Sequence, residues 1–286
     1  MLTIIIWDVQ HGSAAYIETP ASKHIVQDLG TGSYKAGRMT FSPLRHLRSQ
    51  YGVSQLDEVI ITHPHGDHLD DITNFSLLNP RILSRPRHLT DEEIWAGNGN
   101  ADQTVIEKYL EINKGYGEPV LEGENPLLPS NNGGVEINVF VPRSCGRSNL
   151  NNHSLVSVIS YENSKVIIPG DNELPSWQEL LERSDFRNAI QGSDVLIAPH
   201  HGRDAGFCSD IFKYFTPRLT VISDGRFGDT SATNRYDKVT SGWTVHHRGG
   251  PDEQRKCVTT RSDGDILIRI GRDPSDQRPF ISVTID

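Results

Sequence analysis

The chain has 286 residues, a formal net charge of −9 and three cysteines. This length suffices for one large α/β domain or two small ones with a substantial core. The acidic balance excludes a generally basic surface for nucleic acid, although it leaves room for a local basic groove. Cys145, Cys208 and Cys257 fit neither a zinc finger nor a disulfide framework, so we expect a reduced, cytoplasmic protein.

The first third of the chain alternates short apolar runs with turns. Apolar runs and their periodicity predict strands at 4–9, 14–17, 24–29 and 59–62 and helices at 43–51 and 70–78. The first run is short and lacks the basic start and small-residue cleavage site of a signal peptide. We expect no signal peptide and no membrane span, because every apolar stretch is shorter than a span requires.

The middle of the chain has a weaker pattern. Residues 85–134 contain one predicted helix, over about 102–113, followed by a tract rich in glycine and proline. We expect a single domain of residues 1–286 in which this stretch is a loop-rich insertion. It could serve as a substrate lid or as a solvated connection.

The C-terminal half returns to apolar runs. The pattern predicts strands at 135–141, 155–161, 165–168, 195–198, 219–223, 258–260, 265–270 and 281–285. Hairpins are expected across 162–164 and 263–264, and helices at 175–182 and 211–215. Because strands outnumber helices and helices recur between strand groups, we expect an α/β (α+β) architecture of two packed sheets with helices outside.

Three histidines and one aspartate follow the predicted strand at 59–62 within six residues. The sequence there is His-Pro-His-Gly-Asp-His, and its proline and glycine force a turn. Imidazole suits zinc, copper, iron and nickel, and carboxylate oxygen also suits manganese. Four such ligands are more than one ion usually takes from one segment, so the spacing predicts two neighbouring ions. A surface histidine cluster is the alternative, but it would need no apolar run leading into it.

Other strands also border on polar side chains that could bind a metal ion. These side chains are His153, Asp171, His200, His201 and Asp224. Loops at one end of a rigid sheet are where catalytic groups usually gather. Taken singly, Asp171 is more typical of a turn and His153 of a hydrogen-bonded loop. Together with the histidine run they favour a metal site, with Asp171 suited to bridge two ions.

These motifs, in this order, resemble those of a known family. The His-Pro-His-Gly-Asp-His run is similar to the His-x-His-x-Asp-His signature of the metallo-β-lactamase-fold hydrolases. Motifs similar to those of the metallo-β-lactamase-like domain of the ComEC competence proteins, and of their free-standing relatives, follow at 8–14, 28–30, 152–156, 169–171, 200–202, 221–225 and 259–264. The resemblance extends from residue 4 to about 270, except for roughly 85–134. It implies a four-layer αββα sandwich with its site at one edge of the two sheets.

The resemblance also implies a centre of two divalent metal ions, Zn²⁺ or Mn²⁺. The implied ligands are His63, His65, Asp67, His68, His153, Asp171 and His200. Asp171 would bridge the ions, and His200 is preferred to His201 as the closing ligand because it comes first after its strand. The competence proteins tend to carry an Asn-x-x-Ser pattern near His153, which would place this histidine behind the ligands.

The sequence departs from the competence proteins in two respects. Residues 230–236 stand where those proteins usually have a Gly-His-Pro segment. Their membrane channel is not part of this sequence. The resemblance therefore does not imply DNA uptake, and it leaves the substrate open.

Two ions in such a site lower the pKa of a shared water from about 15.7 towards 7. We therefore expect a hydrolase that uses a metal-bound hydroxide, with Asp67 orienting or deprotonating the water. A phosphodiester suits this site because it is anionic and gains charge in the transition state. The leading hypothesis is a phosphodiesterase or nuclease acting on a nucleic acid or nucleotide.

Several residues could assist the reaction. The leaving group needs a proton, for which the candidates are His201, Tyr236, His246 and His247. Arg226 could bind a phosphate through two of its guanidinium N–H groups at once. The basic run at 81–88 could guide a phosphate backbone, although such runs are usually solvated surface.

Two other hypotheses stay open. The same metal site could hydrolyse a small substrate such as a lactone, a thioester or a cyclic nucleotide, which the insertion and the acidic charge favour slightly. Alternatively, the chain could be a non-catalytic metal-binding module for a protein partner, for instance in a bacterial defence system.

Overall fold

Two β-sheets form the centre of the computed structural model, which describes residues 1–32, 41–99, 102–225 and 231–286. The strands are β1 (Leu2–Ile6), β2 (Ala15–Glu18), β3 (His24–Gln27), β4 (Glu58–Ile60), β5 (Ile82–Ser84), β6 (Glu136–Phe140), β7 (Val156–Tyr161), β8 (Ser164–Ile168), β9 (Val195–Ile197), β10 (Leu219–Ile222), β11 (Trp243–His247), β12 (Glu253–Arg255), β13 (Cys257–Thr259), β14 (Ile266–Arg272) and β15 (Pro279–Ile285). The α helices are α1 (Pro43–Gln50), α2 (Asp91–Gly97), α3 (Gln103–Gly115), α4 (Pro129–Asn132), α5 (Leu174–Glu182), α6 (Ser184–Ile190), α7 (Thr233–Val239) and α8 (Thr260–Asp263).

The first sheet has nine strands in the order β12-β11-β15-β14-β1-β2-β3-β4-β5. Strand β1 pairs antiparallel with both β14 and β2, so that Ile4 lies between Ile268 and Ile17. Successive side chains of a strand point to opposite faces. Ile4 therefore enters the core between the sheets, whereas Ile5 enters the core beneath the outer helices. Strands β3, β4 and β5 run parallel, which brings their carboxyl ends to one edge.

The second sheet has six strands in the order β13-β10-β9-β8-β7-β6. Strands β8, β9, β10 and β13 run parallel, so the loops that follow them leave from the same edge. This edge adjoins the corresponding edge of the first sheet, since the amide of Leu155 donates to the carbonyl of Thr62 over 2.9 Å. The loops that follow both sets of parallel strands therefore meet.

Three apolar clusters hold four layers together. The largest lies between the sheets and includes Ile268 and Val221. A second covers the outer face of the nine-stranded sheet around Trp7, beneath α1 and α3. A third covers the outer face of the six-stranded sheet around Trp177 and Phe186 of α5 and α6. This helix–sheet–sheet–helix arrangement confirms the αββα sandwich expected from the sequence.

Local sequence explains where helices begin. Helix α1 starts after Ser42, whose hydroxyl accepts from the amide of Arg45 over 3.2 Å, and it has Pro43 in its first turn. Helix α2 begins with a reciprocal capping pair, Thr90 and Glu93. Together with α3 it gives the predicted insertion more helix than its composition indicated. No helix in the described part of the chain is both long and apolar enough to cross a bilayer.

The expected hairpin across 263–264 is wrong. Strand β13 pairs with β10 in the six-stranded sheet, whereas β14 pairs with β1 and β15 in the nine-stranded sheet. Helix α8 lies between them, and the hydroxyl of Thr259 caps it by accepting from the amide of Ser262. The chain therefore crosses from one sheet to the other at this point.

Candidate metal centre

The histidine run lies in the turn that leaves β4. Backbone hydrogen bonds hold this turn against neighbouring loops: the amide of Leu29 donates to the carbonyl of His68 over 2.9 Å, and that of Ser13 to the carbonyl of Asp67 over 3.4 Å. The turn contains a short 3-10 helix, Gly66–His68. Its side chains therefore project into the gap between the two sheets' loops.

Two groups of possible ligand atoms form at this point. His63, His68 and Asp171 make one group, and Asp67, His68 and His201 make the other, with the atoms of each group within 4.8 Å of one another. Asp171 faces both groups, because its Oδ1 lies 3.3 Å from His68 Nε2 and its Oδ2 lies 3.4 Å from His201 Nε2. The structure thus brings together ligand-type residues from three separate stretches of the chain.

His65 joins this cluster at its edge. Its Nδ1 lies 2.9 Å from Nε2 of His63, and its ring faces the cavity beside Asp67. On the opposite side, Asp67 Oδ2 lies 3.5 Å from His201 Nε2 and 3.4 Å from His11 Nε2. His65 and Asp67 therefore border the solvent-facing side of a cluster whose other members are buried.

Hydrogen-bond partners at Nδ1 orient the rings of the two central histidines, His68 and His201. His68 Nδ1 lies 2.8 Å from the Asp28 carboxylate, and His201 Nδ1 lies 3.0 Å from the backbone carbonyl of Ser223. Metal-binding histidines usually donate their other N–H to a carboxylate or carbonyl in this way. The Nε2 atoms of both rings are buried and have no hydrogen-bond partner, although each faces Asp171. These residues therefore fit a divalent metal ion.

The charges of the cluster favour a cation. Burial lowers the pKa of His201, but Asp171 and Asp67 outweigh it and raise this pKa to about 10. Burial likewise lowers the pKa of His68, which Asp171, Asp28 and Asp67 raise well above its usual value. His63 differs, since burial and then the neighbouring His68 hold its pKa well below the usual range. It is thus neutral near pH 7, the form in which imidazole binds metals.

The backbone at His200 and His201 is unusual. Both residues adopt left-handed conformations, with φ of 51° and 54°. Such conformations cost about 1–3 kcal/mol each and persist where the surroundings impose them. Here the amide of His200 donates to the carbonyl of Gly170 over 3.2 Å, which ties the segment to the Asp171 loop. The two rings consequently diverge, with 66° between their planes.

This divergence places the two histidines differently with respect to the possible ligand atoms. We expected His200 to complete the second ion's ligands and His201 to act in catalysis. The structure instead places His201 in the cluster, whereas His200 Nε2 lies 4.0 Å from Asp171 and 3.0 Å from Arg203 Nη1. His200 Nδ1 lies 3.2 Å from Glu173 Oε1.

His153 lies apart from both groups of ligand atoms. Its Nδ1 lies 3.0 Å from Nε2 of His88, and its Nε2 lies 3.4 Å from the carbonyl of Gly146. The next residue, Ser154, contacts the cluster instead, because its hydroxyl accepts from the amide of Asp171 over 3.1 Å. The position of His153 therefore gives no support to the expectation that it is a metal ligand.

Two of the three expected substrate-binding residues, Tyr236 and His247, lie elsewhere. Tyr236 is buried on α7 with its ring 5.0 Å from that of Phe207, in the cluster behind the six-stranded sheet. His247 lies on β11, three strands from β1, with its Nε2 3.7 Å from Glu253. Neither lines the cavity over the histidine cluster. Arg226 lies outside the described residues.

A cavity of about 470 Å³ opens over the cluster. Besides metal-ligand candidates and glycines, it is lined by His11, Asp70, Asn98, Asp102, Asn151 and Arg203. Of these six, the sequence indicated Asn151 alone, as a residue that could serve the Asn-x-x-Ser pattern. Burial, and then the carboxylates of Asp67 and Asp102, raise the pKa of Asp70 to about 6. One part of the lining is therefore acidic.

His11 and Asp28 lie in motifs that carry the family resemblance, at 8–14 and 28–30, but no role for either residue followed from the motifs alone. Gly12 explains part of the first motif, because its φ is 133° and a Cβ there would lie 2.5 Å from the carbonyl oxygen of Asp67. The glycine thus permits the close approach of two loops.

Comparisons with known proteins agree with the resemblance. No protein-family model matches the chain. ComE operon protein 3 of Bacillus subtilis (strain 168) is 26% identical over 188 residues, which are 65% of this chain and 21% of that protein. The chain thus spans about a fifth of the length of this curated relative.

Solved structures with a similar fold belong to several proteins. The metallo-β-lactamase-fold protein YhfI of Bacillus subtilis is 15% identical, with a TM-score of 0.43, over 84% of this chain and 94% of its own. A diphosphatase of the PhnP family is 11% identical, with a TM-score of 0.44, over 93% of this chain and 97% of its own. The short form of human tRNase Z is 13% identical, with a TM-score of 0.41, over 78% of this chain and 93% of its own. The chain is similar to metallo-β-lactamase-fold proteins and to a ComE operon protein, as its motifs indicate.

Proposed function

We propose that this chain is a hydrolase that binds two divalent metal ions and cleaves a phosphodiester. The observation that carries the proposal is the position of Asp171, whose two oxygens face His68 and His201 respectively. A carboxylate shared in this way is suited to two adjacent cations, because it offers one oxygen to each. The buried, unpartnered Nε2 atoms of both histidines support the same conclusion.

The residues that would hold the ions are His63, His65, Asp67, His68, Asp171 and His201. Imidazole nitrogens dominate this set, which suits zinc, while the two carboxylates also suit manganese. We leave out His153, because its ring nitrogens face His88 and the carbonyl of Gly146, and His200, because its ring nitrogens face Arg203 and Glu173. When bound, such ions supply an activated water nucleophile and neutralise charge that develops on the substrate.

The chain's own residues would orient water and move its proton. Asp67 borders the cavity, so its Oδ2 can accept a hydrogen bond from a water molecule there. Oδ2 lies 3.4 Å from His11 Nε2. Burial lowers the pKa of His11, so its ring is neutral near pH 7 and can accept a proton. His11 is half-exposed and can release that proton to solvent.

A small phosphodiester, such as a cyclic nucleotide, is favoured over a long nucleic acid by one feature of the cavity. Asp70 and Asp102 add two carboxylates to its lining beyond those facing the ions. A continuous phosphate backbone would meet repulsion there, whereas a small substrate with one charged group would not. A lactone or thioester hydrolase is the second candidate on the same observation.

Activity assays with defined metals test the proposal. Protein stripped with a chelator and reloaded with Zn²⁺ or Mn²⁺ would be incubated with bis(p-nitrophenyl) phosphate, cyclic nucleotides, single-stranded DNA, duplex DNA, RNA, a lactone and a thioester. We expect metal-dependent cleavage of a phosphodiester that is abolished by His63→Ala and by Asp67→Ala. His246→Ala is the matched control, because His246 lies on β11, away from the cluster, where it pairs with Asp252.

The assay also has contrary outcomes. Phosphodiester cleavage that survives both substitutions would come from a contaminant and would remove the proposal. Hydrolysis confined to the lactone or thioester would replace the phosphodiester with the second candidate while keeping the metal centre.

A further inference from the structure

Arg203 places a guanidinium group on the wall of the cavity over the histidine cluster. The cavity's other charged lining residues include Asp67, Asp70, Asp102 and Asp171. Of the lining residues that the structure describes, Arg203 alone carries a permanent positive charge. An arginine in such a setting is suited to an anionic group of a bound molecule.

The hydrogen bond of Arg203 fixes the state of His200. Nη1 of Arg203 lies 3.0 Å from Nε2 of His200. A guanidinium group can only donate hydrogen bonds, so Nε2 accepts and His200 carries its hydrogen on Nδ1. Nδ1 lies 3.2 Å from Oε1 of Glu173. His200 therefore stands as a neutral ring between an arginine and a carboxylate.

Glu173 is itself held in place. Its Oε2 accepts from the side-chain amide of Asn149 over 2.8 Å, and its Oε1 accepts from that of Asn151 over 3.2 Å. Its backbone amide donates to Oδ1 of Asn152 over 3.3 Å. The row Glu173–His200–Arg203 is thus anchored at the end farthest from the guanidinium.

Most N–H groups of the Arg203 guanidinium are not used by hydrogen bonds to the described residues. Its side-chain hydrogen bond within the described residues is the one to His200, and no carboxylate of those residues lies within 4.0 Å of its guanidinium. Two parallel N–H groups of an arginine match two oxygens of a phosphate, which a lysine cannot do. The arrangement therefore leaves the guanidinium available to the contents of the cavity.

We propose that Arg203 binds the non-bridging phosphate oxygens of the substrate, and that His200 and Glu173 act as positioning residues for its guanidinium. This inference rests on the proposed function and names the residue that recognises the phosphate. It also gives His200 a role that does not involve a metal ion.

Binding of inorganic phosphate to the metal-loaded protein tests the inference without relying on turnover. We expect Arg203→Gln to keep the wild-type metal content and to weaken phosphate binding about tenfold or more by titration calorimetry. Arg203→Lys should lie between wild type and Arg203→Gln, because it restores the charge but not the paired donors. Arg183→Gln is the matched control, since Arg183 is exposed and pairs with Asp185 at the surface.

The positioning role has its own readout. His200→Gln keeps an acceptor for Arg203, whereas His200→Ala does not. We expect His200→Ala to raise the KM for a phosphodiester and weaken phosphate binding, with kcat and metal content little changed, and His200→Gln to recover most of the loss. Loss of a metal ion in His200→Ala would make His200 a ligand and overturn this role.

The outcomes separate this inference from the proposed function. If Arg203→Gln binds phosphate and cleaves phosphodiesters like wild type, the inference fails while the proposed function stands. If wild type cleaves no phosphodiester but binds phosphate through Arg203, the proposed function fails while the anion site stands.

Discussion

Asp28 and His68 form a fully buried pair in which Nδ1 of the histidine lies 2.8 Å from the carboxylate. Asp28 also accepts from the amide of Thr62 over 2.8 Å, so the carboxylate ties the end of β3 to the histidine turn. Since His68 belongs to both groups of ligand atoms, its orientation governs the whole centre.

Replacement of Asp28 should therefore weaken metal binding without touching a ligand. We expect Asp28→Asn to lower the affinity for Zn²⁺ by about 10- to 100-fold, because the amide no longer fixes the ring and its basicity. Competition with a chromophoric chelator measures this. Asp71→Asn is the matched control, because buried Asp71 accepts from Ser42 and Leu44 rather than from a histidine. Equal losses of affinity in both variants would contradict the assigned role.

The two adjacent histidines should differ in their effect on metal content. We expect His201→Ala to reduce bound metal from two ions per chain towards one, because its Nε2 faces both Asp67 and Asp171. His200→Ala should retain both ions. Elemental analysis after gel filtration measures the difference, and the reverse pattern would restore the order expected from the sequence.

Gly12 should be needed for the position of Asp67. We expect Gly12→Ala to lower metal affinity about tenfold or more, since its Cβ would force the Asp67 carbonyl away and move a ligand. Gly52→Ala is the control: φ is 68° there, but no atom lies within 4 Å of the added carbon. Both variants should lose stability through backbone strain, by about 1–2 kcal/mol for Gly52→Ala. Unchanged metal affinity in Gly12→Ala would show that the loops can separate at no cost to the site.

Glu58 should make the protein less stable as the pH rises. This side chain is 1% exposed on β4, and burial raises its pKa to about 7. The folded state therefore holds the proton that the unfolded chain releases near pH 4.5, and the free energy of unfolding falls as the pH rises from there through 7.

Glu58→Gln removes this titration. We expect Glu58→Gln to have a higher free energy of unfolding than wild type. This difference should be larger at pH 8 than at pH 5 by on the order of 2 kcal/mol. Denaturant unfolding at both values measures it, with the exposed Glu136→Gln as control. A gain independent of pH would mean that Glu58 is ionised in the folded protein.

The parts of the site that the sequence could predict are local. The spacing of His63, His65, Asp67 and His68 sets their common turn, and the apolar run before them predicts the strand that delivers it. The hydrophobic periodicity likewise indicated most strands and α3 to within a few residues. Strand β5 was missed because its apolar run is only Ile82 and Leu83, within a basic stretch, and β11 because its mixed side chains are mostly half-buried.

The parts that could not be predicted depend on backbone dihedrals and distant pairings. The residue types at positions 200 and 201 do not indicate left-handed backbone conformations, yet these conformations decide which imidazole lies beside Asp171. The partnership of Asp28 with His68 joins residues forty positions apart. The hairpin predicted across 263–264 was wrong because β13 and β14 belong to different sheets, and hydrophobic periodicity does not show which sheet a strand joins.

An anomalous-scattering map from a crystal of the Zn²⁺- or Mn²⁺-loaded protein tests the central claim most directly. The account predicts two peaks, with one oxygen of Asp171 at each and with His68 and His201 among the ligands. A single peak, or none in protein that elemental analysis finds free of metal after reloading, would contradict it.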